Sequence, residues 1–247
     1  MKIALCCIAK NEDQYVDEWL RYNHALGFDH IFMYENDWIC PVDYPFLTRI
    51  SWPGKFQQRE AFMDFALNRS AWFDWVAYFD LDEFLVLKHN DNIHEFVTYF
   101  DSRFPAANGI AINLQTYGAN NQRDRGQYPH SLLRQFTRRS DKISPYVKLI
   151  VKLPVRGSMI DPHYWTVPMT APDGKIVPAS LHEATGEDIA VINHYAVKSY
   201  EDWCIRCDRG YPFSRDKISR YNDWHDWKNR DNEIEDLTAK NWFYGKD

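Results

Sequence analysis

The sequence lacks several features that would assign it to common classes of protein. It has neither a Walker phosphate loop nor the Gly-x-Gly-x-x-Gly motif of dinucleotide-binding proteins. No apolar stretch approaches the roughly 20 residues needed to cross a bilayer, and no signal-peptide pattern opens the chain. The five cysteines are odd in number, which favours reduced thiols and a cytoplasmic protein. The formal net charge of -6 gives no reason to expect nucleic acid as a partner.

Short apolar runs alternate with helical periods, and this order predicts an α/β protein with a mostly parallel sheet covered on both faces. Apolar runs that predict strands lie at 2–12, 30–34, 48–51, 75–79, 109–114, 132–137, 146–153 and 188–195. Helical periods lie at 13–26, 57–70 and 93–100, and the Ser199-x-x-Asp202 capping box starts another helix. Residues 154–188 are rich in proline and glycine and predict irregular structure.

Three of the predicted strands end in acidic residues, at Glu12, at Glu35 and Asp37, and at Asp80 and Asp82. Ligands of open α/β sheets bind at the carboxyl ends of the strands, so these acids predict a site at one edge. Alternation along an extended strand turns Asp80 and Asp82 the same way. Two such carboxylates repel each other unless a cation lies between them, and a divalent cation with bound phosphates meets that need.

Two other patterns have ordinary explanations. The acidic pair fails the EF-hand pattern, because the required glycine and terminal glutamate do not follow at the right spacing. Cys204 and Cys207 lie inside a predicted helix with no second cysteine pair nearby, which favours packing over zinc or redox chemistry.

An ordered set of short motifs resembles the GT-A glycosyltransferases, and most closely the family 92 and family 2-like group. The matching pieces are Ile8-Ala9-Lys10-Asn11-Glu12, Glu18-Trp19-Leu20, Gly27-Phe28, Met33-Tyr34-Glu35-Asn36-Asp37, Gln58, Asp80-Leu81-Asp82-Glu83-Phe84, Asn193-His194-Tyr195, Lys198-Ser199 and Arg209-Gly210. They follow the family's order over roughly residues 3–210, and this order is more specific than the acidic motif alone.

The resemblance implies one GT-A domain with a Rossmann-like sheet over residues 1–247. Residues 1–104 would bind a nucleotide sugar, residues 105–210 would form the acceptor half, and residues 211–247 would be a C-terminal extension. The implied reaction transfers a sugar from a nucleoside diphosphate, with UDP expected, to a hydroxyl of a glycan or lipid-linked acceptor. Mn²⁺ or Mg²⁺ is the implied cofactor, and a histidine beside carboxylates favours manganese.

The resemblance and the acidic edge together predict the residues of the donor site. The predicted metal ligands are Asp80, Asp82 and His194, and a structural role is the alternative for His194. His163 is a second histidine candidate, either for the metal or for acceptor binding. The predicted contacts to the nucleotide sugar are Lys10, Asn11, Glu12, Glu35, Asp37, Gln58, Asp80, Lys148, Lys198 and Arg209. Helix capping is the alternative for Asn11 and Asp13, solvent exposure is the alternative for each lysine, and Glu83 is expected to be structural.

If the reaction inverts the anomeric centre, as the resemblance implies, a carboxylate has to take the proton of the acceptor hydroxyl. Asp161 and Glu183 are the candidates, since both lie in the acceptor half near a histidine. Two other functions stay open, a non-catalytic nucleotide-sugar or carbohydrate-binding protein and an aspartyl phosphotransferase. The phosphotransferase pattern fits less well, because Phe84 stands where it usually carries Thr or Val and other strands come first.

Two segments carry weaker predictions. Residues 117–131 are polar, contain two glycines, and predict a mobile loop that orders over bound substrate. The tail from Trp224 to Tyr244 holds aromatic side chains that suit either packing on the core or peripheral contact with the inner face of a membrane. The sequence does not indicate the oligomeric state.

Overall fold

The chain folds around a mixed ten-stranded sheet with helices on both faces. The computed structural model describes residues 1–209, Trp224 and residues 230–245, and it describes Arg209 by its backbone alone. The strands are β1 (Ile3–Ala9), β2 (His30–Glu35), β3 (Leu47–Ser51), β4 (Trp75–Tyr78), β5 (Glu83–Leu87), β6 (Gly109–Thr116), β7 (Arg138–Arg139), β8 (Val147–Lys152), β9 (Met159–Asp161), β10 (Tyr164–Trp165), β11 (Met169–Thr170), β12 (Ile176–Val177), β13 (Ala190–His194) and β14 (Ile234–Glu235). The helices are α1 (Val16–Ala25), α2 (Gln58–Asp64), α3 (Ile93–Arg103), α4 (Leu132–Gln135), α5 (Tyr200–Arg209) and α6 (Thr238–Tyr244). A π-helical turn (Phe65–Arg69) and a 3-10 turn (Ser70–Trp72) continue α2.

One half of the sheet is parallel, in the order β3–β2–β1–β4. β1 and β4 are buried along almost their whole length, as strands covered on both faces have to be. β8 joins β4 in antiparallel fashion, and β6 lies beyond it, antiparallel to β8 and therefore parallel to β1. The α/β fold class expected from the sequence is confirmed by this sheet, with β8 as an antiparallel strand in its middle.

Alternating side chains of β1 fill two separate cores. Ile3, Leu5 and Cys7 belong to one core with α1 and α3, whereas Ala4 and Cys6 belong to the other core with α2. Successive side chains of a strand point to opposite faces, so one apolar run supplies both layers. The helices on the two faces hold the strand ends at a fixed edge of the sheet.

Helix α1 is fastened to β5 through two buried aromatic side chains. The indole of Trp19 donates to the Glu83 carbonyl at 2.9 Å, and the hydroxyl of Tyr22 donates to the Leu85 carbonyl at 2.7 Å. Both side chains bury a large apolar surface and satisfy their polar atoms as well. The strand that follows Asp82 is therefore held rigidly against the core.

The acidic segment is a turn and not an extended strand, so the prediction from alternation is wrong. β4 ends at Tyr78, the chain turns through Leu81 and Asp82, and β5 begins at Glu83. The two aspartates accordingly have different surroundings.

The strand predicted at 132–137 is also wrong, because residues Leu132–Gln135 form α4. The Ser131 side chain accepts from the backbone N–H of Arg134 at 3.1 Å, and the buried Glu18 carboxylate accepts from the N–H of Leu132 at 2.6 Å. These bonds satisfy amides that a helix start leaves unpaired. A carboxylate more than 100 positions away thus sets the local structure.

Residues 117–131 are irregular, as predicted, and hydrogen bonds connect them to distant segments. The N–H of Asn120 donates to the Asn232 side chain at 2.9 Å, and the N–H of Glu201 donates to the Arg123 carbonyl at 3.0 Å. Arg125 donates to the Asp202 carboxylate at 2.8 Å. The loop is tied to α5 and to the C-terminal segment.

The described part of the C-terminal tail packs on the core. β14 pairs with β7, the Tyr244 hydroxyl donates to Glu18 at 2.7 Å, and Trp224 is buried. Within the described ranges, no helix has the length and apolar character required to cross a bilayer.

Candidate active site

The carboxyl ends of β1 and β4 meet the end of β13 at one edge of the sheet. β1 and β4 are parallel neighbours, so the residues that follow them lie side by side. β13 pairs with β5 in a register that sets His194 opposite Glu83, and the N–H of Tyr195 donates to the Asp82 carbonyl at 2.8 Å. Sheet register therefore brings together residues more than 100 positions apart.

Asp82 and His194 form the centre of this edge. The Asp82 Oδ1 atom lies 3.7 Å from His194 Nε2, and both side chains are partly exposed. Burial lowers the pKa of His194, although the Asp82 carboxylate opposes this shift. The imidazole is therefore neutral near pH 7, which is the form that binds metals.

Lys198 lies on the other side of Asp82. Its ammonium is 3.6 Å from Asp82 Oδ2 and 3.7 Å from Glu12 Oε2, and its side chain is mostly buried. The Lys198 backbone has a φ of 57°, a left-handed conformation that is uncommon for a lysine. The Glu12 carbonyl accepts from the N–H groups of Tyr15 and Val16, at the start of α1.

Asp80 has a separate set of partners. Its Oδ1 atom accepts from Gln58 at 2.7 Å, and its Oδ2 atom accepts from the Lys148 ammonium at 2.7 Å. Lys148 also lies 3.2 Å from the fully buried Glu83, whose carboxylate accepts from the N–H of Asp80 at 2.9 Å. This cluster fixes the orientation of Asp80.

Burial opposes the charge of Lys148, but the neighbouring Asp80 and Glu83 outweigh it and raise the pKa of the ammonium. Burial likewise raises the pKa of Glu83 well above its ordinary value, with Lys148 acting in the opposite sense. A buried charge is tolerated where opposite charges and hydrogen bonds compensate for lost water. Lys148 meets this condition with two carboxylates.

The donor atoms at this edge suit a metal that is held in part by a substrate. Over the described residues, no three His, Cys, Asp or Glu side chains converge to enclose an ion by themselves. Asp82 and His194 nevertheless present one carboxylate and one neutral imidazole side by side. Mg²⁺ and Mn²⁺ are commonly held by one or two protein ligands and completed by phosphate oxygens and water.

Three of the predicted nucleotide contacts need correction or refinement. Lys148 has no exposed surface and neutralises protein carboxylates, so it is not placed to touch a diphosphate. The mostly buried Glu35 carboxylate accepts from Arg49 at 2.5 Å and from the N–H of Cys40 at 2.9 Å, which makes it structural. Gln58 donates to the Asp80 carboxylate, so its role is to orient Asp80 and not to contact the nucleotide directly.

The remaining donor-side predictions are placed near the edge. Lys10 and Asp37 pair with each other at 3.4 Å, and Asn11 is exposed with a left-handed φ of 55°. Asn11 and Asp13 do not cap α1, because the helix follows Tyr15 without a side-chain cap. The predicted contact from Arg209 falls on a side chain outside the described residues.

The two candidate bases lie in different environments. The Asp161 carboxylate accepts from the N–H of His163 at 2.7 Å, and His163 Nδ1 lies 2.8 Å from the Val147 carbonyl. Val147 precedes Lys148, so this short hairpin is attached beside the Asp80 cluster. Glu183 is exposed in the segment before β13.

Sequence reasoning missed a buried network that holds the Lys198 segment in place. The Asp202 carboxylate accepts from Tyr15 at 2.8 Å, from Ser199 at 2.6 Å and from Arg125 at 2.8 Å. The Ser199-x-x-Asp202 capping box is confirmed, and it provided part of the signal. Tyr15 and Arg125 come from distant segments, so no local sequence pattern shows that they bind Asp202.

Comparison with known proteins identifies the family. The model of glycosyltransferase family 92 matches residues 46–237, which is more than half of the chain. The chain therefore belongs to glycosyltransferase family 92, and the resemblance seen in its motifs is confirmed.

Curated relatives share short segments with the chain. A glycosyltransferase family 92 protein of Ricinus communis is 25% identical over 105 residues, which cover 39% of this chain and 19% of the relative. A family 92 protein of Oryza sativa subsp. japonica is 24% identical over 102 residues, covering 38% and 18%. The chain thus matches about a fifth of the length of these relatives.

Solved structures show a distant likeness. S. aureus TarS 1–349 in complex with UDP aligns with a TM-score of 0.32 and 12% identity, covering 47% of this chain and 36% of TarS. Another structure of TarS 1–349 aligns with a TM-score of 0.35 and 10% identity, covering 62% and 47%.

Proposed function

We propose that this protein is a glycosyltransferase that moves a sugar from a nucleoside diphosphate, with UDP as the nucleotide, to a hydroxyl of a glycan or lipid-linked acceptor. The observation that carries the proposal is the adjacency of Asp82 and His194 at the carboxyl edge of a family 92 domain. Lys198 and Glu12 adjoin the same point. Cleavage of a sugar–diphosphate bond requires positive charge at that place.

Asp82 and His194 would hold a divalent cation, Mn²⁺ or Mg²⁺, together with oxygens of the diphosphate. When bound, such an ion stabilises the negative charge that develops on the leaving diphosphate. Asp80 would face the ribose of the nucleotide. Its fixed orientation by Gln58 and Lys148, and the part of its side chain that remains exposed, support this role.

We assign the proton-accepting role to Asp161, with inversion at the anomeric carbon. The acceptor oxygen forms a bond to that carbon, its proton passes to the Asp161 carboxylate, and the electrons of the breaking bond leave with the diphosphate. The hairpin of Asp161 and His163 lies beside Lys148, which supports Asp161 over the exposed Glu183.

A thermal-shift panel of nucleoside diphosphate sugars, with Mn²⁺ or with chelator, tests the proposal. A ligand that binds only the folded state raises the melting temperature by mass action. We expect a UDP-sugar and Mn²⁺ together to stabilise the protein more than either alone. Asp82→Asn and His194→Ala should remove this synergy while leaving the fold intact.

The donor found in this way is then incubated with glycan acceptors, and transfer is followed by the nucleoside diphosphate released. Binding without turnover, with any acceptor, would favour a non-catalytic nucleotide-sugar-binding protein. If His194→Ala keeps the synergy but melts much lower than the wild type, His194 is structural and His163 becomes the histidine to test.

A further inference from the structure

Lys198 is held in a costly conformation beside the candidate metal ligands. Its left-handed φ of 57° is unfavourable for a residue with a Cβ atom. The next residue, Ser199, starts the capping box with Asp202, and the Tyr15 ring lies 5.4 Å from the Lys198 ammonium. Strain of this kind persists where the surroundings fix it, and it often marks a functional position.

The strained backbone places the ammonium between two carboxylates that come from distant segments of the chain. Lys198 Nζ lies 3.6 Å from Asp82 Oδ2 and 3.7 Å from Glu12 Oε2. The other oxygen of Asp82 lies 3.7 Å from His194. Lys198 and His194 thus approach opposite oxygens of the one carboxylate that the proposed function gives to a divalent cation.

The space around this ammonium is small. The cleft lined by Glu12, Tyr15, Asp82, Arg125 and Lys198 has a cavity volume of about 40 Å³. At about 10–15 Å³ for each water molecule, it holds roughly three waters. Lys198 lines this cleft beside Asp82, so a diphosphate that approaches Asp82 there meets the Lys198 ammonium.

We propose that Lys198 is a tethered cation that neutralises Asp82 in the free protein and moves onto the diphosphate when the donor binds with its metal ion. This inference rests on the proposed function. A divalent cation at Asp82 repels an ammonium a few ångströms away, whereas the phosphate oxygens attract it. Lys198 therefore weakens metal binding in the free protein and strengthens nucleotide binding in the loaded protein.

The test measures two affinities whose changes have opposite sign. Lys198→Asn removes the charge and keeps a residue that tolerates left-handed φ. By calorimetry without nucleotide, we expect Lys198→Asn to bind Mn²⁺ about tenfold more tightly than the wild type, since a like charge near 4 Å is removed. With saturating Mn²⁺, we expect it to bind UDP about tenfold more weakly, since a charge-assisted contact is lost.

Two matched variants complete the experiment. Lys198→Arg keeps the charge and should bind both ligands within about threefold of the wild type, given its similar reach. Lys88→Asn removes one positive charge from an exposed lysine at the far end of β5 and should leave both affinities unchanged. Melting curves of all variants verify that the fold is retained.

Each outcome separates this inference from the proposed function. If the wild type binds Mn²⁺ and UDP together but Lys198→Asn binds Mn²⁺ alone no more tightly, Lys198 does not compete with the metal and the inference is wrong. If Lys198→Asn binds UDP as tightly as the wild type, the ammonium does not move to the diphosphate. If the wild type itself shows no metal-dependent UDP binding, the proposed function fails first.

Discussion

Asp80 and Asp82 are two positions apart but have different electrostatic surroundings. Asp80 is neutralised from within the protein by Lys148, and its two oxygens have fixed donors. Asp82 faces a neutral imidazole and a lysine at distances of 3.6–3.7 Å, which are longer than direct hydrogen bonds. The fixed Asp80 carboxylate suits positioning of a ligand, whereas Asp82 lies beside the imidazole and the ammonium of the candidate metal site.

Loss of Lys148 should destabilise the fold strongly. In Lys148→Met, two carboxylates at Asp80 and Glu83 lose their buried counter-charge. We expect urea denaturation at pH 7 to show a loss of about 3–5 kcal/mol in the free energy of unfolding. Lys152→Met is the matched control on the same strand, because Lys152 forms a partly exposed pair with Asp101 and should lose at most about 1 kcal/mol. Equal losses of unfolding free energy in Lys148→Met and Lys152→Met would show that Lys148 contributes no more to stability than a partly exposed lysine does.

His163 should make the protein less stable in mild acid. Burial lowers the pKa of His163 to about 4, with the nearby Lys148 acting in the same direction. The unfolded chain binds a proton near pH 6.5, so below that pH it binds more protons than the native state, and stability falls until the pH passes the folded pKa.

Between pH 7 and pH 5, this difference lowers the free energy of unfolding by about 2 kcal/mol. We expect His163→Asn, which keeps a donor near the Val147 carbonyl, to lack that part of the pH dependence in urea titrations. His89→Asn, at an exposed histidine, serves as the control. Parallel pH profiles for the wild type and His163→Asn would contradict the assignment.

Among the elements, the buried parallel strands were the most predictable. β1, β2 and β4 are covered on both faces, so their sequences are continuous apolar runs that end where the sheet ends. α4 was not predictable in this way, because its start depends on Glu18, which lies in α1. The local sequence pattern around α4 does not show that its hydrogen-bond partner is a residue more than 100 positions away.

Glu18 should link α1, α4 and α6 into one cooperative unit. Its carboxylate accepts from the Ser131 hydroxyl, from the N–H groups of Leu132 and Leu133, and from Tyr244. Glu18→Ala leaves these buried donors without their acceptor, and we expect a loss of about 2–4 kcal/mol in the free energy of unfolding.

Hydrogen exchange distinguishes this local link from a general loss of stability. In Glu18→Ala, amides in 132–135 and 238–244 should exchange faster than those of β1 and β4. Glu60→Ala, at an exposed position of α2, is expected to leave both segments unchanged. Uniform acceleration across the chain would show that Glu18 supports the core as a whole and does not link these helices.

At the scale of the whole molecule, the sequence predicts the acidic edge of the sheet, but it does not predict that Asp82 and His194 lie next to each other there. The sequence placed Asp82 at the end of a buried run and His194 at the end of a late strand. Their contact follows from the pairing of β13 with β5, a register that alternation does not specify between distant strands. One feature of the sequence indicated that Lys148 is buried: it lies inside the apolar run of β8.

The most direct test of the central claim is calorimetric titration of UDP into the wild type, with Mn²⁺ and with chelator, alongside Asp82→Asn. Since Asp82 and His194 supply only part of a metal site, metal and diphosphate should each complete the site for the other. We expect UDP affinity to fall at least about tenfold in chelator, and Asp82→Asn to bind UDP equally weakly with and without Mn²⁺. Asp43→Asn, at an exposed acid, should behave as the wild type. Equal UDP affinity of the wild type with and without Mn²⁺ would contradict the account.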